Sequence, residues 1–204
     1  WMLNDEWPAS GWAMIDYYGA PKAGYYAFAQ TAQPVVASVA RKEGRYCVYI
    51  CNDGVKGDEG TLTVRAENFA GKSHVWTCEF VSEANVSQVV MEIPEEEMAL
   101  YTDKTSVLLC DTVSRSGRHH TRYYCSKPAN VAWPPACVSV LRQEEGQITL
   151  VSDAYVPAVR LEGAVFEDNY FALQKGVPKA VGYRRLKGQE EGQVQIEIWK
   201  GADC

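Results

Sequence analysis

The sequence has no apolar run approaching the ~20 residues that a membrane-spanning helix needs, so membrane insertion by a helix is not expected. It also lacks a basic patch. Among 204 residues, Lys and Arg number 20 against 26 Asp and Glu, for a net charge of −6. The densest cationic cluster is Arg184, Arg185 and Lys187. Nucleic-acid binding needs Lys and Arg gathered on one face, so it is disfavoured. Histidine is scarce, with only His74, His119 and His120. The last two are sequence neighbours, so on a strand they point to opposite faces. No C-x-x-C occurs, and no metal site or cofactor is expected. A glycine-rich phosphate loop and a Ser or Cys nucleophile motif are missing as well. The first residues show neither an initiator Met nor a signal-peptide pattern.

The seven cysteines are an odd set: Cys47, Cys51, Cys78, Cys110, Cys125, Cys137 and Cys204. Several lie inside strand-like runs and read as small buried hydrophobes. Cys47 and Cys51 on one strand would stand roughly 13 Å apart at about 3.3 Å per residue, too far to bridge. A bridge between Cys110 and Cys125 across a hairpin stays open.

What is present is β pattern after one helix. Pro21 suits a first helical turn, and Lys22–Gln33 follows, with Tyr25, Phe28, Ala29 and Ala32 on one face. Pro34 stops it. From there the periodicity is two. VVASVARK, RYCVYICN, GTLTVRAENF, HVWTCEFVSE, VSQVVMEI, TSVLLCDTVS and HHTRYYCS are strand-length runs between turn signals such as Asn52-Asp53-Gly54 and Arg115-Ser116-Gly117. Strands at such spacing predict a β-sandwich. Lys127-Pro128 and Trp133-Pro134-Pro135 break the pattern, and a second, smaller sandwich follows.

The opening is dense in aromatic residues. Trp1-x-Leu3-Asn4-Asp5-x-Trp7-Pro8, Trp12, Asp16-Tyr17-Tyr18-Gly19-x-Pro21-Lys22 and Tyr25-Tyr26 together resemble the end of the catalytic barrel in β-mannosidases of glycoside hydrolase family 2. A second stretch, Asp168-Asn169-Tyr170-Phe171-Ala172-Leu173 with Gly176-Val177-Pro178, resembles a signature of that family's C-terminal Ig-like domain. Ala172 replaces an acidic residue there, and Gln174-Lys175 stand where a proline is usual. This weakens a ligand role for that loop.

The resemblance covers essentially the whole chain. It implies a mainly β fold, two Ig-like β-sandwiches preceded by a loop and helix from a (β/α)8 barrel. The division it implies is 1–33 for the barrel end, 34–127 for the first sandwich and 128–204 for the second. The implied role is that of a C-terminal accessory region in a retaining exo-glycosidase acting on terminal β-D-mannose. Glycosidic cleavage needs two carboxyl groups, about 5 Å apart in a retaining enzyme. By resemblance both are Glu upstream of Trp1, in a barrel of about 250 residues. The chain alone is therefore expected to be inactive. Its partners would be that upstream barrel and, through it, a β-mannoside. Trp1 and Asp5 become the candidate substrate-binding residues: an aromatic face packs on a sugar ring, and a carboxylate accepts its hydroxyls. Trp7, Trp12, Tyr17 and Tyr18 are expected to pack between barrel and first sandwich, and to form an apolar patch once separated from the barrel. Periplasmic, secreted or lysosomal residence is what the resemblance favours. Relatives acting on β-glucosaminides or within glycoprotein glycans fit the same motifs.

The remaining acidic pairs, including Asp58-Glu59 and Glu95-Glu96-Glu97, sit at predicted turns and read as solvated charge. A different class of function is a carbohydrate-binding module using Trp76, Trp133 or Trp199 as a platform. An Ig-like adhesion module is a third, with nothing specific for it.

Overall fold

The computed structural model describes residues 2–8, 11–101, 104–185 and 194–199. Trp1 and Cys204 lie outside them. The chain forms two compact units, one of Gln30–Ala132 and one of Trp1–Ala29 with Trp133–Cys204. Among the described residues there is a single α-helix, α1 (Ala23–Thr31), one short 3-10 turn at Pro128–Asn130, and otherwise strands and loops. Among the described residues, no helix is long and apolar enough to cross a membrane.

The first unit is a sandwich. β1 (Val35–Lys42), β2 (Arg45–Asn52) and β5 (Val86–Pro94) form one sheet in the order β1-β2-β5. β3 (Asp58–Asn68), β4 (Ser73–Ser82), β6 (Ser106–Ser114) and β7 (Gly117–Tyr124) form the other, in the order β4-β3-β6-β7. Alternation explains the inner faces. Tyr46, Val48 and Ile50 from β2 meet Leu62, Val64 and Ala66 from β3, with Leu108 and Cys110 from β6, in one apolar core. The β1–β2 hairpin closes in two residues, Glu43 and Gly44, at φ 49° and 75°. That pair of left-handed residues gives the turn whose twist matches the strands.

The second sandwich is smaller. β8 (Val138–Glu144), β9 (Gln147–Ser152), β13 (Lys179–Arg184) and β11 (Val165–Phe166) make one sheet, and β12 (Phe171–Leu173), β10 (Val156–Glu162) and β14 (Gln195–Trp199) the other. Ile148, Leu150, Val159, Leu161, Phe171, Leu173 and Val181 fill the space between.

Four readings change. The helix is shorter than Lys22–Gln33 and turns a different face inward: Tyr26 is buried, whereas Tyr25, Phe28 and Ala32 are exposed. One strong contact, described below, sets its rotation. Cys110 and Cys125 do not bridge each other, because the β6–β7 register sets Cys110 opposite Thr121. Cys137 is exposed, so the cysteines are not uniformly buried. Asp58 is not a solvated turn charge. It is buried, and its carboxylate accepts hydrogen bonds from the N–H groups of Glu59, Arg115 and Ser116 and the hydroxyls of Ser114 and Ser116. Burial pushes its pKa up, but these donors outweigh burial and hold it below the usual value. Asp58 thus ties the β6–β7 turn to the start of β3.

Candidate functional site

The N-terminal segment folds by a few polar contacts. The Asp5 N–H donates to the Ile15 carbonyl at 3.0 Å, and the Ile15 N–H to the Leu3 carbonyl at 2.9 Å. The Lys22 N–H donates to the Met14 carbonyl at 2.8 Å. Asp16 stabilises the turn between, since its carboxylate accepts from the N–H groups of Tyr18 and Ala20. Residues 3–5, 14–16 and 21–22 are thereby stitched together without a sheet.

Asp5 lies at the centre, only 6% exposed. Its carboxylate is 2.5 Å from the Lys22 ammonium, which also donates to the Gly11 carbonyl at 3.0 Å. A side chain at position 11 would collide with Asp5, because a Cβ there would sit 2.4 Å from its Oδ1. Glycine lets the two backbones close around the ion pair. Such a buried carboxylate needs its partner, as an unpaired charge away from water is costly. The sequence pattern singled out Asp5 but not Lys22, although Lys22 closes the Pro21-Lys22 motif.

Around this knot the aromatic side chains face outward. Trp12 is 92% exposed, Tyr18 75% and Trp7 64%, with Met2, Leu3 and Tyr17 also exposed. Trp1, the other candidate, lies outside the described residues.

α1 anchors the segment to the second sandwich. The Tyr26 hydroxyl donates to the Phe166 carbonyl at 3.2 Å, and its ring lies 6.1 Å from that of Tyr170. Burial raises the Tyr26 pKa above its ordinary value. Tyr170 belongs to the Asp168-Asn169-Tyr170-Phe171 stretch. There Asn169 is buried and imitates a strand: its Oδ1 accepts from the Leu161 and Tyr170 N–H groups, and its Nδ2 donates to the Leu161 carbonyl. Tyr170 follows at φ 55°. Asp168 pairs with Lys179 at 2.8 Å, and Lys179 sits over the Phe171 ring. The contacts of Asn169 and the Asp168–Lys179 pair hold this stretch to its own sandwich.

The three other tryptophans differ. Trp76 is partly buried against the first core, and its Nε1 donates to Glu97. Trp133 stacks on Tyr155 and meets Trp199 edge-on. Trp199 itself is half exposed. Among the described residues, no group of three His, Cys, Asp or Glu side chains is placed to hold a metal ion.

Comparison with known proteins gives matching results. Residues 134–200 match the Ig_mannosidase model, an Ig-fold domain. Beta-mannosidase A of Aspergillus fumigatus is 25% identical over 92% of this chain, which corresponds to 23% of that protein. Beta-mannosidase B of Aspergillus niger is 48% identical over a shorter stretch, 21% of this chain and 5% of that protein. Among solved structures, the Beta-D-Mannosidase from Dictyoglomus thermophilum superposes on 98% of this chain and 26% of its own, with TM-score 0.77 and 22% identity. The exo-chitosanase CsxA of Amycolatopsis orientalis covers 98% of this chain and 29% of its own, at TM-score 0.68 and 15% identity. The chain therefore spans less than a third of the length of each of these proteins.

Proposed function

We propose that this chain, a C-terminal region of the β-mannosidase type in glycoside hydrolase family 2, is the non-catalytic support of a retaining exo-glycosidase. In this reading the parent polypeptide removes terminal β-D-mannose from oligosaccharides. Both catalytic carboxylates lie in the preceding barrel, and the chain contributes none. We divide it as 1–33, the barrel's end, then sandwiches at 34–127 and 128–204. The exposed row of Trp7, Trp12, Tyr17 and Tyr18 is the face that packs on the barrel. An exposed apolar surface of this extent is costly in water and marks a contact. We assign Trp1 to the floor of the mannose subsite, with Asp5 beside it. Since Lys22 holds the Asp5 carboxylate, Asp5 serves that subsite by fixing backbone shape.

The observation that carries this reading is the alignment with a β-mannosidase along nearly the whole chain. The test is hydrolysis of p-nitrophenyl β-D-mannoside by the intact polypeptide that contains this chain, and by the chain alone. Turnover by the first and none by the second is the expected result. Turnover by the chain alone overturns the non-catalytic assignment. A second reading rests on Trp199, half exposed and edge-on to Trp133: a sugar platform on the second sandwich. Binding of a mannan oligosaccharide by the chain alone, lost in Trp199→Ala, would favour it.

A further inference from the structure

We infer that the second sandwich positions the N-terminal segment through a tyrosine latch, in which Tyr26 of α1 is seated against the Phe166 carbonyl and the Tyr170 ring. The functional consequence rests on the reading above, that this segment borders the substrate subsite; the mechanical linkage does not.

The Phe166 and Tyr170 contacts of Tyr26 land on parts of the sandwich that its core immobilises. Phe166 is a buried core side chain, and its strand β11 is paired with β13. Tyr170 is carried by Asn169, which is hydrogen-bonded on two sides to Leu161 of β10. Tyr170 holds a left-handed backbone conformation, which a bulky L residue adopts only at an energetic cost. Glycine or asparagine would suit that position better. The ring packed against Tyr26 is a reason to keep a tyrosine there.

On the other side, Lys22 lies one helical turn before Tyr26, and its carbonyl accepts from the Tyr25 N–H at 3.0 Å. Rotation of the helix about its axis is fixed by Tyr26 and passed to Lys22. Lys22 then grips Asp5 and the Gly11 carbonyl at once. A continuous path of packed and hydrogen-bonded groups runs from the sandwich core to the loop that follows Trp1. It explains why α1 buries Tyr26 while leaving Tyr25 and Phe28 exposed. It also gives a role to the second motif, whose departures from the family pattern at Ala172, Gln174 and Lys175 leave Asn169 and Tyr170 untouched. Tyr26, Asn169 and Tyr170 are positioning residues.

The experiment is amide hydrogen exchange on the chain and on Tyr26→Ala, Tyr26→Phe, Tyr170→Phe and Lys22→Met, followed at Asp5, Ile15 and Lys22 and at Ile148 and Leu150 in the sandwich. Tyr26→Ala is expected to accelerate the first three amides by about ten-fold and leave the sandwich amides within about two-fold. Lys22→Met should accelerate Asp5 and Ile15 alike, Tyr26→Phe less, and Tyr170→Phe not at all. Unchanged exchange at Asp5 and Ile15 in Tyr26→Ala overturns the latch, as does equal acceleration in the sandwich. In the intact polypeptide, lost positioning should raise KM for p-nitrophenyl β-D-mannoside by about ten-fold in Tyr26→Ala, with recovery in Tyr170→Phe relative to Tyr170→Ala. An unchanged KM with lowered kcat, the mark of less folded enzyme, contradicts the functional half. If the unmutated polypeptide hydrolyses no β-mannoside, the glycosidase reading fails while the exchange result stands on its own.

Discussion

The first sandwich and the N-terminal segment are held together in opposite ways. In the sandwich, burial is spread over many side chains from two sheets, so every strand contributes apolar area to one core. In the segment, the large aromatic residues point outward and a handful of polar contacts do the holding. The two buried carboxylates repeat the contrast. Asp58 is satisfied by five neutral donors, four of them from one turn. Asp5 depends on one cation, Lys22. A distributed core tolerates the loss of a part; a segment pinned at a few points lets go locally. A region that exposes its apolar residues and secures itself with polar ones fits the barrel contact proposed above.

Substitutions in each region break or sharpen that comparison. The largest effect is expected in the core: Leu108→Ala, fully buried between the sheets, should cost about 2–5 kcal/mol in urea unfolding of the first sandwich. Asp58→Asn comes next. It keeps the shape but removes the charge that the donors favour, and should cost about 1–3 kcal/mol. Because the folded Asp58 pKa is lowered, its contribution is present above the ordinary carboxylate value near 4 and fades as pH falls through the folded value. The acid limb of a stability-against-pH curve should therefore flatten in Asp58→Asn. An unchanged limb would show that Asp58 is not the group responsible.

Lys22→Met should act locally. The segment is expected to lose about 1–3 kcal/mol of opening free energy, seen as faster exchange at Asp5 and Ile15, with the urea midpoint of the first sandwich unmoved. A shifted midpoint would mean that the two regions are not separable. The smallest effect belongs to the surface. Arg45 and Glu92 pair at 2.7 Å between half-exposed side chains, and Arg45→Ala should change unfolding by about 0.5 kcal/mol or less.

How much of this was legible in the sequence follows the same divide. The strands of both sandwiches could be read from alternation and turn residues, since burial on a pleated sheet imposes a period of two on neighbouring residues. VVASVARK and RYCVYICN became β1 and β2 with the same bounds. The mainly β architecture and the two sandwiches were readable for that reason; the Ig-like character of the second came from the resemblance at Asp168–Leu173. Contacts between residues distant in sequence leave no period. Tyr26 meets Phe166 and Tyr170 across about 140 positions, so the periodicity of Tyr25 and Phe28 gave no sign that Tyr26 is the residue buried against the second sandwich. Asp58 looked like a turn charge because its donors come from a hairpin more than fifty residues away. Asp5 was singled out, whereas its partner Lys22 was not, because an ion pair is a fact of the folded chain. Cys110 and Cys125 showed the same limit: register, not spacing, set Cys110 opposite Thr121.

The central claim is that the aromatic segment is a packing face for the catalytic barrel of the parent polypeptide. The most direct measurement is oxidative footprinting of Trp7 and Trp12 in the isolated chain and in the intact polypeptide, with partly buried Trp76 as the internal reference. The account predicts fast modification of both in the chain and strong protection in the intact polypeptide, with Trp76 unchanged. Equal modification of Trp7 and Trp12 in the two forms would contradict it.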